Sequence, residues 1–422
     1  MALIKKPTTG MKDILPKEME IRDYVTRLVK ETYSSFGFTP IETPAVEHIE
    51  NLLSKQGGEN EKLIFKILKR GEKLQLSGET KEEDLADSGL RYDLTLPLSR
   101  YYACHAAELP MPFKALQIGP VWRADRPQKG RFRQFVQCDI DILGESTTLA
   151  EIELITATTT LLGKLDFSDF TVRINDRRIL KAMAAYSGFA EEDYDSVFII
   201  LDKMDKIGVD GVRQDLIENG FSPECADRYL ELFQGGLSDA SAVTALADKL
   251  GDALPEGCAE GLVDIMTSAA KVKNADYNIV FDPTLVRGMS YYTGTIFEIT
   301  MNEFGSSVAG GGRYDEMIGR FTGNKVCACG FSIGFERIIT ILMEQDRKNP
   351  AGKDKYAFLI EKGADPAFVA DVMKQAQDLR NEGKTVLVSM MNKNKKYQKE
   401  QLEKEGYILD NVKEFYHSEF RK

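Results

Sequence analysis

Apolar residues recur at helical spacing over residues 21–36 (Ile21, Val25, Leu28, Val29, Tyr33, Phe36), and Gly37 ends the run. Residues 39–44 look extended. Within 59–76 the stretch LIFKILK reads as a strand, and 77–88 as a charged, turn-rich loop. Residues 90–102 open extended (RYDLTLPL) and continue as helix. Residues 115–123 and 131–143 read as strands joined by a basic loop, with a helix following at about 148–162. From about 169 to 270 helical patterns dominate, broken by Gly and Pro. Strands return at 277–281 and 291–301, then a glycine turn, AGGGRYD (309–315), then an apolar helix over about 331–343. Past a polar Pro/Gly linker (347–355) the chain reads strand, helix, strand, helix and a short charged tail.

The segment 131–143 has two different faces. Phe132, Gln134, Val136, Cys138, Ile140 and Ile142 fall on one side, mostly apolar; Arg131, Arg133, Phe135, Gln137, Asp139 and Asp141 fall on the other. Similar polar groups recur on other extended segments: Asp93 and Thr95 in RYDLT, and Arg287, Tyr291 and Tyr292 in LVRGMSYYTG. A sheet displaying these groups on one surface suits the floor of a polar ligand site. Asp139 reads either as a supporting or as a solvated residue and stays outside the candidate set.

At 422 residues the chain is too long for one ordinary core, so two or three domains are expected. Apolar residues make up 43% and charged residues 29%, as in a soluble globular protein. The start has no apolar leader and no run of 18 apolar residues occurs, so no membrane association is expected and a cytoplasmic location is. The six cysteines lack disulfide-like or paired CxxC spacing, and the three histidines lie apart. Free thiols in a reducing compartment are the expectation, with no metal site made by the protein alone.

The formal charge of −11 argues against nonspecific DNA coating and leaves room for RNA held by a local basic patch. Such a patch is RADRPQKGRFRQFVQ (123–137), with five cationic residues and one acidic. Clustered guanidinium groups match phosphate oxygens, and Phe135 can stack a base. Carboxylates and Gln137 can take an ammonium group or a ring N–H. Together these point to a nucleotide plus a small amine-bearing molecule. No P-loop and no strand–GxGxxG–helix occurs. The run KNKKYQK (393–399) reads equally as a solvated helix face or an RNA-binding surface.

These stretches, taken in order, resemble the class II aminoacyl-tRNA synthetases and, within them, the histidyl-tRNA synthetase family. GMKDILP (10–16) is similar to that family's N-terminal signature, and FTPIETP (38–44) to its motif 1 with Pro44. VWRADRPQKGRFRQFVQ (121–137) is similar to motif 2, and GFSIGFERI (330–338) to motif 3. LVRGMSYYTGTIFE (285–298) and AGGGRYD (309–315) resemble the histidine-specific motifs. The GFSIG stretch itself is expected to pack a helix through its small residues.

The resemblance implies an α+β fold: an antiparallel sheet flanked by helices, with a helical insertion and a small α/β C-terminal domain. The implied boundaries are a catalytic domain in two parts (1–168 and 273–346), the insertion (169–272) and a shortened anticodon-binding-like domain (354–422) that lacks its last strand–helix portion. The implied reaction is histidine–tRNA ligation with ATP and Mg²⁺, acting on L-histidine and tRNA(His), by a homodimer formed through motif 1. Arg123, Arg287 and Arg337 would be catalytic. Arg123, Asp125, Phe135 and Arg337 would bind ATP. Asp93, Thr95, Gln137, Asp141, Arg287, Tyr291 and Tyr292 would bind histidine, and Arg126 and Gln128 would meet the tRNA acceptor end. The sequence departs from the family pattern in having Asp125 where Glu is common and Ser290 where Asp is common. A non-catalytic relative, the histidine-sensing regulatory subunit of ATP phosphoribosyltransferase, is the alternative.

Overall fold

The computed structural model describes residues 3–53, 62–75, 77, 80–127, 131–234, 238–286, 291–301, 306–347 and 354–417. The chain divides into two compact units, Met1–Asp13 with Val25–Leu342, and Ile14–Tyr24 with Met343–Lys422.

The larger unit is built on an eight-stranded sheet. Its strands are β1 Thr39–Pro40, β2 Phe113–Trp122, β3 Gln134–Leu143, β4 Phe170–Asp176, β5 Tyr277–Phe281, β6 Thr295–Met301, β7 Ser306–Arg313 and β8 Ala328–Ile333. They lie in the order β1-β2-β3-β8-β7-β6-β4-β5. Pairing is antiparallel from β2 to β4, and each edge strand joins parallel to its neighbour. The helix Leu149–Lys164 packs on β3 and β8. Nearer the site, the helices Thr95–His105 and Asp315–Thr322 pack together, burying Leu98, Tyr102, Met317 and Ile318 against Phe113, Leu143 and Ala328. Helices fill most of the span between β4 and β5.

Several local expectations change. AGGGRYD is no turn: 306–313 is β7, at the centre of the sheet. Three consecutive glycines suggest a turn, but inside a strand glycine also marks close approach of neighbouring chains. A Cβ on Gly311 would lie 2.0 Å from the Gly330 carbonyl oxygen on β8. Arg313 at the end of β7 grips Glu151 through two bonds of 2.7 Å, joining the strand to the helix Leu149–Lys164. GFSIG likewise belongs to a strand, β8, and the helix begins only at Phe335 (Phe335–Glu344). A strand covered on both faces lacks polar alternation, so ACGFSI merges by eye into the apolar helix after it.

The strand expected at 291–301 begins at Thr295. Of 59–76 only Lys66–Leu68 is strand among the described residues. Residues 131–133 precede β3 instead of forming part of it.

The smaller unit holds a three-stranded parallel sheet ordered Thr385–Met390, Lys355–Ile360, Val412–Phe415. The helix Pro366–Asn381 packs Phe368, Val372 and Ala376 on one face, and the helix Lys395–Lys404 packs Leu402 on the other. The third strand, Val412–Phe415, corrects the expectation that the segment ends as strand, helix, strand, helix. Its four residues are too few to show a period. Within KNKKYQK, Lys395 and Lys399 reach Glu414 at 3.1 and 2.7 Å.

Candidate active site

The basic loop leaves β2 after Trp122 and returns into β3 at Gln134, the two residues being paired across the strands. Arg123 sits at the mouth. Its Nε donates to the Tyr92 carbonyl at 2.9 Å, and its guanidinium lies 5.1 Å from the Phe135 ring centre. The start of the chain supports the loop. Arg133 N donates to the Gly10 carbonyl at 2.8 Å, and Arg133 Nε to the Asp125 carbonyl at 3.0 Å. Gly10 has φ +83°, and a Cβ there would lie 2.7 Å from Arg133 Cγ. Glycine thus opens GMKDILP for both steric and conformational reasons.

From the opposite side, the helix Phe335–Glu344 presents two residues. Arg337 donates to the Ser307 carbonyl, and Glu336 Oε1 accepts from Val136 N at 3.2 Å. Arg123, Asp125, Phe135, Gln137, Glu336 and Arg337 all line one open cavity of about 720 Å³. It can hold a polyanion with an aromatic base.

A second, narrow pocket of about 40 Å³ adjoins it, and Gln137 lines both. Asp93, Asp139 and Asp141 line this pocket at 2%, 4% and 3% exposure. Asp93 Oδ1 accepts from Leu96 N at 3.1 Å at the head of the helix Thr95–His105. Asp141 Oδ1 accepts from the Tyr314 hydroxyl at 2.6 Å. Asp93 Oδ2 and Asp141 Oδ2 are buried with no protein partner. Burial raises the pKa of all three carboxyls, that of Asp139 to about 7.

The adjoining strand β8 makes room for this acidic floor. Gly330 pairs with Asp141 and Ser332 with Asp139. A Cβ on Gly330 would lie 2.0 Å from Asp141 Oδ1. Tyr291 and Tyr292 close the pocket with ring centres 4.7 Å apart, Tyr291 also meeting Tyr314 edge-on at 5.9 Å. Two unpaired buried acceptors in an acidic pocket call for a cationic ligand with several N–H groups.

The structure brings Arg123, Asp125, Phe135, Gln137 and Arg337 into the larger cavity, and Asp93, Thr95, Gln137, Asp141, Tyr291 and Tyr292 into the smaller one. Arg126 is exposed and lines neither. Arg287, Gln128 and Ser290 lie outside the described residues. Asp139, Ser332, Tyr314 and Glu336 were missed. Asp139 shares a strand face with Gln137 and Asp141, which was signal enough. Tyr314 lies just past β7, and its partner Asp141 is 173 positions away.

The histidyl-tRNA synthetase family model matches residues 10–338. A histidine–tRNA ligase of Leifsonia xyli is 44% identical, covering 92% of this chain and 91% of that protein. A probable histidine–tRNA ligase of Tropheryma whipplei is 40% identical, covering 95% and 94%. The crystal structure of histidyl-tRNA synthetase from Nostoc sp. PCC 7120 superposes with TM-score 0.78 at 28% identity, over 96% of this chain and 90% of that one. A Bacillus halodurans structure described as an ATP phosphoribosyltransferase regulatory subunit/histidyl-tRNA synthetase gives TM-score 0.77 over 99% of each chain; at 20% identity this shows the shared fold alone.

Proposed function

The chain belongs to the histidyl-tRNA synthetase family, and from that premise we propose how its residues divide the reaction. It is an aminoacyl-tRNA synthetase, a ligase that uses ATP to join L-histidine to tRNA(His). In the first step a histidine carboxylate oxygen attacks the α-phosphorus of ATP. The new O–P bond forms histidyl-adenylate, and the P–O bond to pyrophosphate breaks. The carboxylate is ionised at neutral pH, so no general base is required. In the second step a hydroxyl at the tRNA 3′ end attacks the acyl carbon. The C–O bond to AMP breaks, AMP leaves, and the hydroxyl proton passes to the departing phosphate or to water.

The barrier lies in bringing anions together, so fixed cations and alignment carry the catalysis. Arg123 would hold the α-phosphate, with Arg287 on its other side. Phe135 would stack one face of adenine beside Asp125, and Arg337 would cover the other face and the distal phosphates. Asp93, Thr95, Gln137 and Asp141 would receive the ammonium group and neighbouring atoms of histidine, and Tyr291 and Tyr292 would approach its ring. Arg126 and Gln128 would meet the acceptor end of the tRNA, where phosphate contacts position the strand and unpaired bases can be read.

Among the described residues no group of three or more His, Cys, Asp and Glu is placed to hold a metal. Mg²⁺ would be held mainly through the ATP phosphates, with Glu298 and Glu336 on the cavity wall able to supply oxygens. When bound it would neutralise charge on the leaving pyrophosphate. The helical insertion (169–272), the two catalytic parts (1–168 and 273–346) and the C-terminal domain (354–422) would act in a homodimer in the cytoplasm. No described helix is long and apolar enough to cross a membrane.

One observation carries this reading: the arginine-lined cavity and the carboxylate pocket share Gln137. A histidine sensor needs only the second. Histidine-dependent ATP–pyrophosphate exchange by the purified protein tests it. Exchange is expected. Histidine binding without exchange would favour the regulatory-subunit alternative.

A further inference from the structure

Asp139 lies between two proposed substrate ligands and on the same strand face, yet nothing above gives it a part. Its surroundings are unusually specific. Gln137 Nε2 donates to Asp139 Oδ1 and Oδ2 at 3.4 and 3.2 Å, and the Ser332 hydroxyl donates to Oδ1. Ser332 is held opposite Asp139 by the pairing of β8 with β3. At the other end of the amide, Gln137 Oε1 accepts from Arg123 Nη2 at 3.4 Å.

Once ionised, as it is above about pH 7, the Asp139 carboxylate only accepts hydrogen bonds, so it dictates which end of the amide faces it. An amide in a neutral surrounding can turn over with little penalty. Here one orientation puts nitrogen on Asp139 and oxygen toward Arg123. The reverse would set oxygen against carboxylate and N–H against guanidinium. An ammonium group likewise offers only donors, so it is served by the amide oxygen and repelled by the amide nitrogen. Burying a third carboxylate beside Asp93 and Asp141 opposes folding, so stability does not account for Asp139.

We propose that Asp139 is a positioning residue that locks the Gln137 amide with its oxygen turned toward the substrate ammonium group and Arg123. This rests on the reading of the site as a histidine and ATP site, and it names the device that orients Gln137, whose side chain borders both cavities.

The test is histidine-dependent ATP–pyrophosphate exchange, with KM for histidine and for ATP measured separately. Wild-type exchange tests the underlying reading; the variants test this one. Asp139→Asn and Asp139→Ser both free the amide, so either one that folds by circular dichroism carries the test. Each is expected to raise KM for histidine about tenfold to a hundredfold, the range of a charge-assisted hydrogen bond, with a smaller change in KM for ATP. The double variant Gln137→Glu with Asp139→Asn returns the charge to position 137. A glutamate presents an oxygen to the pocket whichever way it turns, and the introduced asparagine amide can donate to it, so most of the histidine affinity should return. An unchanged KM for histidine in the single variants overturns the proposal. So does a loss that the double variant fails to recover, since that would make Asp139 a direct ligand or a packing group.

Discussion

The larger cavity is open and mixes charges, setting Arg123, Arg131, Lys206 and Arg337 among five carboxylates, whereas the smaller pocket buries three carboxylates under a sheet, and Gln137 faces both. Arg123 and Arg337 stay at least partly solvated, so their charges cost little to maintain without a ligand. The three aspartates of the pocket are at most 4% exposed, and two of their oxygens have no protein partner. Those acids are costly until a ligand supplies N–H groups. An open cavity whose arginines stay solvated therefore suits affinity for a phosphate-bearing ligand, and a closed acidic pocket suits choice among ligands by their N–H groups. A site with buried groups that must be paired rejects an isostere lacking the donors, in reactions of this kind by roughly 10⁴ or more.

The contrast predicts opposite responses to neutralisation. Asp139 has its folded-state pKa raised to about 7 from the usual 3.8, mainly by burial, with Asp93 adding and the hydrogen bonds from Ser332 and Gln137 opposing more than Arg123 does. Between those values the folded protein holds a proton that the unfolded chain has released. Stability therefore falls as pH rises through this window and stays lower above it. Asp139→Asn removes that slope. It should be more stable than wild type above pH 7 by up to about 4 kcal/mol, and no more stable near pH 4. Urea unfolding at both pH values measures it. A variant less stable than wild type at high pH would show that the carboxylate is already compensated, and the contrast between the cavities would weaken.

Removing a cation should have the reverse profile, with stability nearly unchanged and chemistry lost. Arg123→Ala is expected to lose about 2.7–4 kcal/mol of transition-state stabilisation, roughly a hundredfold to a thousandfold in adenylate formation. Arg287→Ala should slow adenylate formation by a similar factor. Single-turnover adenylation beside thermal unfolding separates the two effects, and near-wild-type pyrophosphate exchange in either variant would remove that arginine from the reaction.

The difference between the regions also explains what was legible in the sequence. RADRPQKGRFRQFVQ marks the larger cavity because residues clustered in one exposed loop leave a local compositional signature. The acidic pocket is assembled from residues far apart, and its enabling elements look ordinary. Gly330 and Gly311 read as packing and turn glycines, although each makes room for a group on another strand. Asp139 was set aside because alternation assigns it to a polar face, and alternation cannot tell a solvated face from one roofed by Tyr291, Tyr292 and Tyr314. Alternation along 131–143 and the helical pattern over 21–36 were readable, and the elements observed are 134–143 and 16–35. The central strands β7 and β8 were not, since burial on both faces erases the period.

A smaller effect tests the roof of the acidic pocket. Tyr314→Phe removes the 2.6 Å hydrogen bond to Asp141 and leaves that carboxyl with neither oxygen paired by the protein. The expected loss is about 1.5–3 kcal/mol, appearing in KM for histidine and leaving KM for ATP alone. Equal changes in both constants would mean that the two cavities are one cooperative site.

The smallest change probes the same separation from the other side. Phe135 is half-buried on β3, two residues before Gln137, with the Arg123 guanidinium 5.1 Å from its ring centre. Phe135→Leu keeps an apolar side chain on the strand and removes only the π-face. Stacking of a base on an aromatic ring is worth about 1–3 kcal/mol against alanine, so a leucine replacement should lose about 1 kcal/mol. KM for ATP should rise about fivefold, with KM for histidine unchanged. The ring also carries a cation–π contact with Arg123, and Arg123 is bonded to Gln137. If KM for histidine rises as well, the disturbance has travelled from Phe135 through Arg123 to the Gln137 amide. The larger cavity would then help to orient the acidic one, and the division between affinity and choice would rest on that three-residue chain.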